Sequence, residues 1–502
     1  MTKTLMFLGT GSDVGKSIAT TAFCRIFNRR GFRVAPFKAQ NMSNNSYVTI
    51  EGGEIGRAQV AQAEAAGVLS SVHMNPILLK PSSNQGIQVI LHGKAIGTMN
   101  AQTYYGLKPL FKKAIRESFN RLAKDYDVIV MEGAGSCCEM NLKGSDLVNL
   151  PLAKTLKAPC VLVADIDRGG VFAQIIGTHQ LMSPTERKLI VGFLINKFRG
   201  DPALFSSGID YIEKKASKPV LGLVPYFQDI RIDSEDSVAV QADKRTKRPV
   251  GPKNINIAVL RLPAISNFTD LEIFEQEQDV IVNYLSRPKE LTSDYDCLIL
   301  PGTKNVMEDA AWLGQSGWKR IIHDFARAGK KILGICGGYQ LLGQMIQDPL
   351  EVESIRKEIK GLNLLPVITN LEKEKIVRKV NGTCLVYKKP VQGYEIHMGT
   401  SHIMKKNGET FLRLHVPGEK EAWEDGWSVN HGQIAGTYLH GLFDSPGFRG
   451  AFLNGLREAK GFPTRIPKPG KKGKSHQYDR LADHFEKYCD VDIIIEQTLK
   501  GM

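Results

Sequence analysis

The chain has 502 residues, 42% of them apolar and 24% charged, enough for about two to four domains and too close to the globular average for a disordered or fibrous protein. No run approaches the roughly 18 uninterrupted apolar residues of a membrane span, and the first apolar stretch, in MTKTLMFLGTGSD, breaks at Gly9, so neither membrane insertion nor secretion is expected and the cytoplasm is the expected location. The 66 basic and 52 acidic side chains leave a net charge of +14, with 28 basic and 20 acidic in residues 1–240; this field suits small polyanions such as ATP and polycarboxylates, and without an aromatic-interleaved basic helix nucleic acid is not expected.

The first apolar run, TLMFLG (4–9), leads into GTGSDVGKS (9–17) and then into SIATTAFCRIFNRRG, a helix ending at Gly31. Strand, glycine-rich loop and helix in this order make a phosphate cradle. Around Gly9, Thr10, Gly11 and Gly15 backbone N–H groups can face phosphate oxygens, Lys16 reaches the outer phosphates, and Ser17 can ligate Mg²⁺. Five residues, rather than the usual four, separate Gly9 from Gly15.

The runs RVAPF (33–37), DVIVME (127–132), PCVLVAD (159–165), IVGFLIN (190–196) and VLGLV (220–224) follow, separated by helical patterns. Near-continuous apolar strands of this kind predict a parallel sheet covered on both faces, with ligands at the carboxyl ends of its strands. At that edge stand Lys38, within reach of the γ-phosphate and a candidate to hold a substrate carboxylate; Glu132, the best-placed carboxylate for Mg²⁺; Asp165 and Asp167, which end the next strand in the same way; and Asn196 with Lys197, where an amide suits an adenine edge.

The polar, basic segment QADKRTKRPVGPKN (241–254), broken by Pro and Gly, reads as a linker between units 1–240 and 255–502. Beyond it, NIAVLRL (256–262), CLILPG (297–302) and KILGIC (331–336) predict a second parallel sheet. KILGICGGYQLLG places Cys336 on a sharp strand-to-helix turn with Gly334, Gly337 and Gly338 around it. The helix N-terminus favours a thiolate there, and the Gly337 amide can face an oxyanion. PGTKN (301–305) offers a second donor at Gly302 or Thr303, and the base is expected to be His440 in AGTYLHGLFD, with His397 in GYEIHMG as rival. From about residue 380 strands are expected in CLVYKKP, ETFLRLHV and GQIAGTYLH, and TRIPKPGKKGK (464–474) reads as a loop before a helical YDRLADHFEKY. The eight cysteines include no CxxC pair, which fits a reducing compartment without disulfides or a zinc site.

The nucleophile turn GICGGYQLLG and the later GTYLHGLF resemble the class I glutamine amidotransferases, and the lengthened phosphate loop resembles the dethiobiotin-synthetase-like branch of P-loop ATPases. The two together, with PFKAQNMSNNS (36–46), EIGRAQVAQAEAAG (54–67), DIDRGGVFA (165–173), LPGTKN (300–305) and YDRLADHF (478–485), resemble the cobalamin-pathway amidases across nearly the whole chain. The resemblance implies an α/β protein of two doubly wound domains with mostly parallel sheets, P-loop ATPase-like and then glutamine amidotransferase-like. It also implies ATP- and Mg²⁺-dependent amidation of the b, d, e and g carboxylates of adenosylcobyrinic acid a,c-diamide, with glutamine as nitrogen donor. Lys38, Gln40 and Asn41 then belong to the corrinoid polycarboxylate; the sister enzyme that amidates the a and c side chains, the alternative reading, has acidic residues where this chain has Gln40, Asn41 and Asn44. Ordinary class I enzymes carry His-x-Glu, but Leu442 stands two residues after His440, so the group that orients the base is not identified. A partition-type ATPase, the reading from another class, would place a second lysine near the start of the loop, where this chain has Thr10 and Gly11.

Overall fold

A computed structural model describes residues 2–82, 86–227, 248–467 and 470–501. The six apolar runs of the first half form one parallel sheet: β1 (Lys3–Gly9), β2 (Val34–Phe37), β3 (Val128–Glu132), β4 (Cys160–Asp165), β5 (Ile190–Phe198) and β6 (Val220–Pro225). Their order is β6-β5-β4-β1-β3-β2, every pair parallel. Strands β1 to β4 are buried almost throughout, as a sheet covered on both faces requires. Helix α1 (Lys16–Arg29) follows β1 and lays Phe23, Ile26 and Phe27 on one face of the sheet.

Between β2 and β3 the chain builds a layer with no counterpart in the sequence reading. It holds a mixed sheet of Gln40–Met42, Ile77–Ser82, Gly86–Leu91 and Lys94–Met99 and a ribbon of Ser46–Val48 with Glu54–Gly56. These strands are three to six residues long, and several mix polar and apolar residues, so no periodicity announces them.

The second sheet has 11 strands. Its parallel part runs β8-β7-β9-β10-β11, from β7 (Ile255–Leu260), β8 (Val280–Leu285), β9 (Cys297–Leu300), β10 (Lys331–Ile335) and β11 (Ile434–Thr437). Next to β11 the sheet turns antiparallel through Ala422–Val429 and Glu409–His415, then reaches a long hairpin, Val367–Cys384 with Lys389–Ile403. The expected strand CLVYKKP is the turn of that hairpin: pairing stops at Cys384, resumes at Lys389, and Lys388 takes a left-handed φ of 52°. After these strands comes helix α2 (Pro446–Ala459), whose Phe448, Phe452 and Leu456 are buried.

The tail departs furthest from the expectation. Helix α3 (Gly470–Tyr488) begins inside the basic patch expected to be a loop, and α3 and α4 (Val491–Lys500) pack on the first half of the chain instead of the second. Leu481, Phe485 and Ile494 join the core of Phe7 and Phe23, and Arg25 and Arg29 pair with Asp479 at 2.8 Å and Asp483 at 2.6 Å. An apolar stripe in the tail, carrying Leu481 and Phe485, packs against α1 at Phe23. Residues 241–247 of the expected linker lie outside the described residues; Arg248, just after them, donates its amide to Asn283 Oδ1 at 3.0 Å. Among the described residues no helix is long and apolar enough to cross a membrane.

Candidate active sites

The phosphate loop leaves β1 at Gly9 and enters α1 through Gly15, whose φ of 106° only glycine adopts readily. Lys16 folds back over the loop, its Nζ donating to the carbonyls of Gly11 at 2.8 Å and Gly135 at 2.9 Å. A Cβ on Gly9 would stand 2.8 Å from that Nζ, so the lysine's path requires a glycine there. Thr10 donates its amide to Val163 and its hydroxyl to Gln174 Oε1. Asn196 lines the cavity next to the loop, and its amide nitrogen donates to Val14 O at 3.0 Å and would lie 1.9 Å from a Cβ on Gly15. It braces the loop.

Glu132 ends β3 as expected and gathers the site. Its Oε1 accepts from Ser17 and Lys38, both at 2.8 Å, and its Oε2 from Gln62 at 2.5 Å. One carboxylate beside a loop hydroxyl fits the way Mg²⁺ is held, by one or two protein oxygens with the remainder from phosphate and water. Asp165 is not drawn into this group. Strand β1 lies between β4 and β3, and the Asp165 carboxylate is taken by Lys197 at 2.8 Å and by the amide of Asp167; Asp167 pairs with Arg199. A Mg²⁺ role for Asp165 therefore has no support in the geometry. Among the described residues no cluster of three or more His, Cys, Asp or Glu could hold a metal.

Lys16, Ser17 and Lys38 line a cavity of about 1310 Å³, as do Asn196 and Lys197. Its wall beyond Lys38 includes Gln40, Asn41 and Asn44, raised there by the inserted layer. Tyr104 donates to Gln40 Oε1, and Asn41 Nδ2 donates to Gln59 at 3.1 Å.

In the second half, Cys336 sits between β10 and the short helix Gly337–Leu342 with φ 54° and ψ −113°. A non-glycine residue held there is strained, which places it well for a nucleophile. The crowding explains its neighbours: a Cβ on Gly338 would meet Leu300 O at 2.0 Å, and one on Gly337 would stand 3.0 Å from the Thr303 nitrogen. Two backbone amides, those of Gly337 and Thr303, are thus adjacent beside the thiol. Gly302 packs on the His440 ring, its own carbonyl accepting from Ser266 N.

His440 is 2% exposed, and its Nδ1 lies 2.6 Å from Asp270 Oδ2, while Asp270 Oδ1 accepts the Gly441 amide at 3.0 Å. Burial opposes the imidazolium, but Asp270 and then Cys336 outweigh it and raise the pKa to about 10. The rival His397 is anchored on Gly399 O at 3.1 Å and stacked on Tyr438, and burial lowers it to about 3. The sequence reading missed Asp270. It stands 170 residues before the histidine, so no short motif joins them; the only signal is an acidic residue soon after the first strand of this half.

The two sites touch. Ser46, just past the cavity wall, accepts from Asn267 Nδ2 at 3.1 Å, and Thr269 donates to Asn45 at 3.2 Å; Thr269 immediately precedes Asp270, and Asn267 lies in the same turn. Nearby, buried Glu54 pairs with Lys80 and with Lys375 of the second half, each at 2.6 Å. Burial works against the Glu54 charge, but the two lysines hold it below the usual carboxylate range.

A phosphate loop joined to a cysteine–histidine–carboxylate site defines a nucleotide-binding unit coupled to a glutamine amidotransferase. Residues 5–239 match the CobQ/CobB/MinD/ParA nucleotide binding domain, and residues 256–448 the CobB/CobQ-like glutamine amidotransferase domain. The chain is 47% identical over 499 residues to the cobyric acid synthase of Syntrophobacter fumaroxidans (strain DSM 10017 / MPOB), covering 97% of each chain. It is 46% identical over 504 residues to that of Salmonella choleraesuis (strain SC-B67), covering 98% of each. The chain belongs to the cobyric acid synthase family.

Proposed function

We propose that this chain amidates the b, d, e and g carboxylates of adenosylcobyrinic acid a,c-diamide, using glutamine as nitrogen donor and ATP as activator. The observation that carries the reading is the gathering of Ser17, Lys38 and Gln62 on Glu132 beside the phosphate loop, where Ser17 and Lys38 line a cavity that Gln40 and Asn41 also line. A carboxylate is a poor electrophile. Its oxygen attacks the γ-phosphorus of ATP, the bond to ADP breaks, and the acyl phosphate that forms is attacked by ammonia, releasing phosphate. Lys16 and Lys38 supply positive charge where the phosphoryl group and the substrate carboxylate meet. Ser17 and Glu132 would hold a Mg²⁺ ion, which would supply positive charge to the phosphates.

Ammonia comes from the second site. Cys336 Sγ attacks the glutamine amide carbon, the amides of Gly337 and Thr303 or Gly302 hold the oxyanion, and the His440 imidazolium protonates the departing ammonia. Asp270 keeps that ring oriented and charged. Water then releases glutamate from the thioester. The units are assigned as 1–240 for amide synthesis and 255–467 for glutamine hydrolysis, with the tail returning to the first. Free thiols at all eight cysteines suit a cytoplasmic location.

The test is Cys336→Ser assayed with both nitrogen sources. Loss of glutamine-dependent amidation with ammonia-dependent amidation retained is expected; loss with both sources would assign Cys336 a structural role.

A further inference from the structure

The cavity also extends in the direction opposite to Gln40. From Gly15 it passes Thr21, one turn along α1, and ends on Val224 and Phe227, from the end of β6, and on Leu481, His484 and Phe485 of α3. The tail is therefore a wall of the same cavity that holds the phosphate loop. Its position relative to the loop is fixed, because α3 is bound to α1 by Arg25–Asp479, to Glu64 by the Tyr478 hydroxyl at 2.7 Å, and to Phe23 through Phe485.

That wall has the composition of a pocket for a flat heterocycle: apolar and aromatic side chains, Tyr226 among them, with one polar group contributed by α3. The polar group is His484, stacked on Phe227 with ring centroids 4.6 Å apart and 16° between planes. Its Nε2 lies 3.0 Å from Pro225 O. Only a protonated ring nitrogen can bond a carbonyl, so Nε2 carries the hydrogen. Burial holds the ring pKa below its ordinary value, which leaves a neutral ring whose Nδ1 is a lone-pair acceptor.

We propose that α3, from the far end of the chain, completes the purine-base pocket of the nucleotide site, and that His484 Nδ1 selects a 6-amino purine over a 6-oxo one. An amino group donates to that lone pair; a carbonyl oxygen in its place repels it. The inference rests on reading the phosphate loop as a nucleotide site, and it adds a residue more than 460 positions downstream of that loop.

Equilibrium binding of non-hydrolysable ATP and GTP analogues to the full chain tests it, with no turnover required. His484→Ala is expected to weaken the ATP analogue tenfold or more, about 1.4 kcal/mol, and not to weaken the GTP analogue. His484→Gln, which keeps a donor for Pro225 and an acceptor for the base, is expected to restore the preference. Lys16→Ala is the reference and weakens both analogues alike. If His484→Ala weakens both equally or neither, while Lys16→Ala weakens both, α3 is scaffold only and the base-pocket proposal fails. If Lys16→Ala weakens neither, the nucleotide reading of the loop is what fails.

Discussion

Asp270 occupies the place that a glutamate two residues after the histidine fills in ordinary class I enzymes, and it reaches His440 from another element at 2.6 Å. If it orients the ring and holds the imidazolium, Asp270→Asn should lower glutamine hydrolysis by about 10²- to 10⁴-fold, the range for a general acid–base group. Ammonia-supported amidation should survive. The pH profile of residual hydrolysis should also move down, because the carboxylate is the leading cause that raises His440; an unmoved profile would show that Asp270 only packs there. Gly15 makes a second case at this scale. Gly15→Ala forces a side chain into a left-handed conformation and onto Asn196 Nδ2, 1.9 Å from the new Cβ. Nucleotide binding should fall at least tenfold, and adding Asn196→Ala should recover part of the loss; no recovery would mean that the backbone conformation alone sets the requirement.

Among the elements, the six strands of the first sheet and the Cys336 turn were legible because buried parallel strands are unbroken apolar runs and because glycines must flank a crowded turn. The inserted layer was not, since Gln40–Met42 and Ser46–Val48 are three residues each and owe their place to partners distant in sequence. The tail was legible as a helix but not as to where it docks, because an apolar stripe does not name its partner. The site residues divide in the same way. Lys16, Ser17, Lys38 and Glu132 come together because the carboxyl edge of a parallel sheet collects them, whereas the expected Asp165 is spent on Lys197. At this scale Glu54 is the most exposed to test. Glu54→Gln leaves Lys80 and Lys375 buried without their carboxylate, which should destabilise the contact between halves by about 3–5 kcal/mol. Denaturant unfolding followed separately in each half should show the two transitions moving apart; a single unshifted transition would mean that the contact does not depend on this charge.

For the whole molecule, the buried His440–Asp270 pair makes stability depend on pH. The His440 pKa is raised from 6.5 to about 10 on folding, so its contribution is complete below about pH 6.5 and is lost as pH rises through 10. The stability difference between the parent chain and His440→Gln should therefore shrink across that window, and a difference that grows would reverse the sign assigned to the pair. Two sites on two sheets are joined through Ser46, Asn267 and the Glu54 cluster. We propose that the first site, supplied with nitrogen by the second, amidates corrinoid carboxylates. The most direct measurement is the mass of the product after incubation with ATP, Mg²⁺, glutamine and adenosylcobyrinic acid a,c-diamide. Four carboxylates converted to amides, with one ATP consumed for each, is the predicted result; an unchanged substrate mass, or amidation of cobyrinic acid only at its a and c carboxylates, would contradict it.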